Sequence, residues 1–171
     1  KSPNEIRLMQ QAGQITAFGH IKAMQVTRPN RFEYEIESEI LHEFNRHGAR
    51  FPSYNSIIAG GDNACILHYT ENDQPLKDGD LVLIDAGCEF AMYAGDITRT
   101  FPVNGKFTQP QREIYELVLK AQKRAIELLV PGNSIKLAND EVIRIKTQGL
   151  VDLGILKGDV DKLIERKKLI V

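Results

Sequence analysis

Apolar residues in the first third of the chain recur at the spacing of amphipathic helices. Ser2 and Glu5 enclose Pro3 in a capping-box pattern, which predicts that a helix begins here. We expect this helix to continue to about residue 25, because apolar side chains follow at close to helical intervals: Ile6, Met9, Ile15, Phe18 and Ile21. A second helix is predicted to end at Gly48, with one apolar face made of Ile36, Ile40, Leu41 and Phe44.

The pattern changes to that of strands in the middle of the chain. Residues 55–59 (NSIIA) predict a short strand that ends at Gly60, and residues 81–86 are apolar enough to predict a strand buried on both faces. A third strand is expected over 97–103. Helical spacing returns at Thr108 and predicts helices up to Pro131, over 135–150 and over 158–168. Central strands flanked by helices favour an α+β fold in which helices cover an antiparallel sheet.

Composition narrows the class of protein. The 171 residues carry a formal net charge of −1, which argues against a dedicated nucleic-acid binder or a protein that docks on anionic membranes. No apolar run approaches the roughly 18–20 residues of a membrane span, so we expect neither nucleic acid nor membrane as a partner. The two cysteines, Cys65 and Cys88, are too few for a disulfide framework and favour a cytoplasmic location.

Two aspartates carry the candidate chemistry. Asp85 ends one predicted strand and Asp96 begins the next, and they lie directly opposite each other if the hairpin is centred between Phe90 and Ala91. Opposed like charges destabilise a strand pair, and no Lys or Arg lies in residues 81–97, so a divalent cation between the carboxylates is one explanation. The alternative is that one aspartate caps a turn while the other is solvated or pairs with Arg99. Spacing alone leaves both open.

Several segments in order resemble one enzyme family. Residues 79–87 (GDLVLIDAG) and 95–101 (GDITRTF) resemble the metal-binding hairpin of the pita-bread metallopeptidases, and residues 63–69 (NACILHY) resemble their substrate-side histidine segment. Together with 51–54 (FPSY) and 104–108 (NGKFT), they are similar to the bacterial Xaa-Pro aminopeptidase (aminopeptidase P) branch. Prolidase, which cleaves only Xaa-Pro dipeptides, shares much of this sequence and is the alternative assignment.

The resemblance implies a fold, a reaction and a set of site residues. The fold would be the first half of a pita-bread domain, and the reaction would remove the N-terminal residue from peptides with proline in second position. Asp85 and Asp96 would bind two divalent metal ions, usually manganese in this branch. His68 would be catalytic and would donate a hydrogen bond to the substrate or to the tetrahedral intermediate, and Tyr54 would help to shape the substrate pocket.

The chain departs from the family in one respect that matters for the metals. The family completes its site with one histidine and two glutamates from later in the fold, whereas the histidines of this chain all precede Asp96: His20, His42, His47 and His68. We therefore expect residues 1–171 to be the N-terminal portion of the catalytic domain, without the separate N-terminal domain usual in the branch. Alone, this portion should be inactive and should self-associate as a homo-oligomer through uncovered sheet edges. A non-catalytic peptide-binding module of the same fold is the remaining alternative.

Overall fold

The computed structural model describes residues 1–167. These residues divide into two compact units, Lys1–Phe107 and a second unit that begins at Thr108. The first unit contains two α-helices, a 3-10 helix (Gly61–Cys65) and all the strands of the described chain, and the second is helical. The helix predicted over 158–168 is present up to residue 167, and residue 168 lies outside the described residues.

Two helices open the first unit, α1 (Pro3–Val26) and α2 (Glu33–Arg46). The capping box predicted for α1 is confirmed, because the Glu5 amide donates to Ser2 Oγ at 3.3 Å and the Ser2 amide donates to Glu5 Oε2 at 2.6 Å. The predicted end of α2 is also confirmed. Gly48 follows it with φ of +86°, a left-handed conformation that glycine adopts without strain.

Six short strands follow α2 and form two antiparallel sheets of three strands each. Their bounds are β1 (Phe51–Pro52), β2 (Ile57–Gly60), β3 (Leu81–Ala86), β4 (Cys88–Phe90), β5 (Tyr93–Ala94) and β6 (Ile97–Pro102). The sheets have the strand orders β1-β4-β5 and β2-β3-β6, so one long hairpin supplies β3 and β6 to one sheet and its tip to the other. Helices packed against antiparallel sheets confirm the predicted fold class.

The core of this unit lies between β3 and the two helices. Val82, Ile84 and Ala86 are fully buried, whereas Leu83 and Asp85, on the opposite face of the strand, are only half-buried. The prediction of a strand buried on both faces is therefore wrong, because the run of apolar residues hides an alternation in burial. The same core cluster includes helix residues Ala12, Ile15, Ala23, Ile36, Ile40 and Phe44.

Strand β2 lies at an edge of its sheet, and side chains occupy its outward-facing amide groups. The Ile58 amide donates to Asn72 Oδ1 at 3.0 Å, and the Gly60 amide donates to Glu33 Oε1 at 2.8 Å. Asn72 Nδ2 in turn donates to the Ser56 carbonyl at 2.9 Å. Two side chains thus satisfy hydrogen-bonding groups that an uncovered edge would offer to another chain.

The second unit contains α3 (Gln109–Leu128), α4 (Ile135–Asp152) and α5 (Val160–Lys167). Helices α3 and α4 pack together, and Gly149 makes their close approach possible, since a Cβ there would lie 2.3 Å from Leu117 Cδ1. Within residues 1–167, no helix combines the length and the apolar character needed to cross a membrane.

Candidate metal centre

The site is built where the long hairpin passes from one sheet to the other. Gly87 follows β3 and Gly95 precedes Asp96, and their backbones approach so closely that a Cβ at Gly87 would lie 1.8 Å from the Gly95 carbonyl oxygen. A Cβ at Gly95 would lie 2.1 Å from Thr16 Oγ1 of α1. Neither glycine has a positive φ, so close approach rather than backbone conformation excludes a side chain at both positions.

Ser53 ties a third segment to this crossing. Its amide donates to the Gly87 carbonyl at 2.9 Å, and its hydroxyl donates to the Gly95 carbonyl at 2.9 Å. The next residue, Tyr54, is therefore held beside both strands of the hairpin, close to Asp85 and Asp96.

The register of the hairpin differs from the predicted one. Asp85 pairs with Thr98 rather than with Asp96, and the predicted centre between Phe90 and Ala91 is one residue too early. The turn residues are Ala91 and Met92, with φ of 50° and 70°. Two-residue hairpin turns favour such positive φ values, which glycine and asparagine usually supply, and neither residue type is present here to predict the turn. Asp96 consequently lies diagonally across from Asp85 on the same face of the sheet.

The Tyr54 hydroxyl joins the two aspartates. It lies 2.5 Å from Asp85 Oδ1 and 2.9 Å from Asp96 Oδ1. A phenol has one proton, so it donates to one carboxylate at a time and leaves the charge of the pair largely uncompensated. Burial, followed by the hydrogen bonds to Asp85 and Asp96, raises the pKa of Tyr54 well above its ordinary value, which keeps the hydroxyl protonated as a donor.

No cation of the described chain neutralises these carboxylates. Among residues 1–167, neither Asp85 nor Asp96 forms an ion pair with a Lys, Arg or His side chain. Arg99, the alternative partner considered from the sequence, instead donates from Nη1 to the Thr98 carbonyl at 2.7 Å. The two carboxylates therefore face each other across a phenol, without a countercharge from this part of the chain.

All four residues singled out from the sequence line one cavity of about 390 Å³: Tyr54, His68, Asp85 and Asp96. Sequence reasoning missed three further lining residues, Asn55, Ile57 and Thr70. Ile57 pairs with Asp85 across β2 and β3, so a correct strand register would have revealed it. Asn55 and Thr70 carry no signal beyond their closeness in sequence to Tyr54 and His68.

The donors of this cavity fit part of a divalent-metal site. Carboxylate oxygens are hard ligands suited to divalent cations, and the proximity of two such groups without a countercharge is what a cation would relieve. However, the described residues contain no group of three or more His, Cys, Asp or Glu side chains arranged to hold a metal ion. Asp85 and Asp96 thus supply two carboxylate ligands but not a complete set.

Comparison with known proteins identifies the family. The sequence profile of metallopeptidase family M24 matches residues 7–161. The chain belongs to this family. It is similar to the Xaa-Pro aminopeptidase of Haemophilus influenzae, with 92% identity over 167 residues, which are 98% of this chain and 39% of that protein. The chain therefore spans about two fifths of the length of such a relative.

Solved structures agree with this assignment. The chain is similar to a structure of Escherichia coli aminopeptidase P in complex with substrate, with a TM-score of 0.96 and 62% identity over 98% of this chain and 38% of that one. A zinc-substituted form of the same enzyme in complex with product matches equally well, with the same score, identity and coverage. The resemblance to aminopeptidase P noted in the sequence and the predicted fold are both confirmed. The roles assigned to individual site residues stay predictions.

Proposed function

We propose that this chain forms part of the active site of a metal-dependent aminopeptidase that removes the N-terminal residue from peptides with proline in second position. The observation that carries the proposal is the pair of carboxylates, Asp85 and Asp96, joined by the Tyr54 hydroxyl on the wall of a cavity that His68 also lines. Membership of a metallopeptidase family and the names of the similar proteins support the reaction.

Each site residue has a proposed role that its chemistry allows. Asp85 and Asp96 would hold divalent ions together with ligands from outside the described residues, and such ions activate water and polarise a scissile carbonyl when bound. The Tyr54 hydroxyl orients the two carboxylates by donating its proton to either of them. The exposed imidazole of His68 would donate a hydrogen bond to the substrate carbonyl, a task suited to a neutral or charged histidine.

The finer assignments belong to the same proposal. We propose manganese as the metal, because the two proposed ligands, Asp85 and Asp96, bind through oxygen atoms, which suit Mg²⁺ and Mn²⁺ better than soft metals. The names of the similar proteins favour an aminopeptidase over the dipeptide-specific prolidase. We also propose a cytoplasmic location, in keeping with the free thiols of Cys65 and Cys88, and retain the proposal that residues 1–171 are the N-terminal portion of a catalytic domain.

Metal binding by the chain itself tests the assignment of the carboxylates. With ¹⁵N-labelled chain, substoichiometric Mn²⁺ should selectively broaden the amide resonances around Tyr54, Asp85 and Asp96. Asp85→Asn and Asp96→Asn should each remove this broadening, whereas Asp62→Asn, which changes an exposed aspartate outside the cavity, should leave it intact. Broadening that persists in both site variants, or that never occurs in the folded chain, would contradict the proposed ligands.

Hydrolysis needs a separate experiment with a protein that contains this chain and the remaining length of its relatives. That protein should cleave tripeptides with proline in second position, lose activity when a chelator removes the metal, and recover it with Mn²⁺. Cleavage of Xaa-Pro dipeptides alone would favour prolidase instead. The chain by itself should hydrolyse no such peptide, since two carboxylates are an incomplete ligand set. Turnover by the pure chain that Asp96→Ala abolishes would show that expectation to be wrong.

A further inference from the structure

A buried carboxylate lies behind the His68 wall of the cavity. Glu33, the first residue of α2, is 1% exposed, and its carboxylate accepts four hydrogen bonds. Oε1 accepts from the Gly60 amide at 2.8 Å and from Asn63 Nδ2 at 3.0 Å. Oε2 accepts from the Tyr69 hydroxyl at 2.7 Å and from the Gln74 amide at 3.0 Å. A carboxylate, which offers acceptors and no donor, satisfies all four partners.

These four donors all lie in one segment, residues 60–74, and they include both of its ends. Gly60 ends β2 and Asn63 lies in a 3-10 helix (Gly61–Cys65), whereas Gln74 lies at the far end of the loop. The same loop carries His68 and Thr70, which line the cavity. The Glu33 side chain on α2 therefore anchors, through hydrogen bonds, the loop that forms the His68 wall of the cavity. The N-terminus of a helix favours a negative charge at that position, which offsets part of the cost of burial.

Tyr69 is the link between this carboxylate and His68. Its side chain is 5% exposed and points to Glu33, whereas the neighbouring His68 is exposed on the cavity side with φ of 56°. Positive φ is unfavourable for a residue other than glycine, so surrounding contacts must hold it. Among residues 1–167 the His68 imidazole forms no hydrogen bond, so the backbone rather than the ring sets its position.

We propose that Glu33 and Tyr69 are positioning residues for His68: the hydrogen bond from the Tyr69 hydroxyl to the Glu33 carboxylate holds the backbone that presents the imidazole to substrate. This inference rests on the proposed substrate-binding role of His68. It assigns a functional consequence to two side chains that lie outside the cavity. Asn63 Nδ2, which also donates to the Tyr69 hydroxyl at 3.1 Å, strengthens the same contact.

The first test uses the chain itself and does not depend on activity. Glu33→Gln would set an amide donor against other donors and can prevent folding, so the informative variant is Tyr69→Phe, which removes one hydroxyl. The matched control is Tyr93→Phe, because the Tyr93 hydroxyl also donates to a glutamate, Glu5 Oε1 at 3.1 Å, away from the cavity. We expect the amide order parameter of His68 to fall from about 0.85 to below about 0.6 in Tyr69→Phe and to stay unchanged in Tyr93→Phe. An unchanged value in a folded Tyr69→Phe chain would overturn the proposal.

The second test measures whether the contact acts through His68, in a protein of the length of the relatives. Tyr69→Phe should lower kcat/KM for a tripeptide with proline in second position by about tenfold, the effect of losing a hydrogen bond to a charged group. In a His68→Ala background the same change should cost less than about twofold, because a positioning residue has nothing left to position. An equal loss in both backgrounds would assign a general structural role and overturn the inference. Absence of any hydrolysis would instead refute the proposed function, while the His68 order parameter still decides the positioning claim.

Discussion

The closest backbone approach in the site yields the sharpest prediction. In Gly87→Ala, the new Cβ would lie 1.8 Å from the Gly95 carbonyl oxygen and 2.9 Å from Ser53 Oγ. Carbon and oxygen atoms in contact normally stay at least about 3.3 Å apart, so the two backbones both have to shift and move apart by more than about 1 Å. The obstacle is backbone rather than the end of a flexible side chain, and rotamer changes cannot relieve it.

The cost of that movement follows from the hydrogen bonds at the crossing. Displacing Gly95 disturbs the bond from Ser53 Oγ to its carbonyl and the bond from its amide to the Cys88 carbonyl. Displacing Gly87 disturbs the bond from the Ser53 amide. At about 1 kcal/mol net for each bond, we expect Gly87→Ala to lower the free energy of unfolding of the first unit by about 3 kcal/mol, more than most single substitutions do.

Urea unfolding followed by tyrosine fluorescence measures this effect. The chain has no tryptophan, and four of its five tyrosines lie in the first unit, which the signal therefore mainly reports. Gly13→Ala is the control, because a Cβ at this helical glycine has no neighbour within 4 Å and should raise stability by about 0.5–1 kcal/mol. A Gly87→Ala chain that unfolds within about 0.5 kcal/mol of the unsubstituted chain, alongside a normal control, would refute the argument from close approach.

Two further substitutions test neighbouring contacts. Burial and the hydrogen bond to Glu33 raise the pKa of Tyr69 from 10.0 to about 12, so its contribution to stability is complete below about pH 10 and is lost as pH rises toward 12. The free energy of unfolding should thus fall less steeply over this range in Tyr69→Phe than in the unsubstituted chain. Asn72→Ala should destabilise the first unit by about 1–3 kcal/mol, because the Ile58 amide loses its acceptor. Light scattering should show more self-association in Asn72→Ala, and equal association in both chains would contradict the role of Asn72 at the edge.

The parts of the fold that follow from local patterns are predictable from the sequence. Ser2 and Glu5 predict the start of α1, and Gly48 predicts the end of α2, because caps and breakers act within a few residues. The hairpin register is different. Ala91 and Met92 adopt positive φ without any residue type that favours it, so the turn depends on the pairing of the strands around it.

The candidate site divides in the same way. The two aspartates stand out because they interrupt apolar or alternating strand patterns, and His68 stands out by resemblance to the family. The hydroxyl that joins the carboxylates could not be inferred, because Tyr54 reaches them through Ser53, whose bonds to Gly87 and Gly95 exist only in the folded chain. The carboxylate of Glu33 was likewise hidden, since a glutamate at the start of an amphipathic helix is ordinarily solvated.

The two walls of the cavity are held by different helices. On the acidic side, Thr16 of α1 accepts a hydrogen bond from the Cys88 amide at 3.1 Å and packs against Gly95. On the histidine side, Glu33 of α2 accepts hydrogen bonds from the loop that carries His68.

Besides the direct pairing of β2 with β3, the packing of α1 against α2 therefore contributes to the distance between the carboxylates and the imidazole. That packing is tight, because a Cβ at Gly19 of α1 would lie 2.6 Å from Phe44 Cε1 of α2. A ring edge can yield where a backbone cannot, so Gly19→Ala should be tolerated better than Gly87→Ala and should shift α1 relative to α2. The geometry of the site thus depends in part on a helix contact that contains none of the residues lining the cavity.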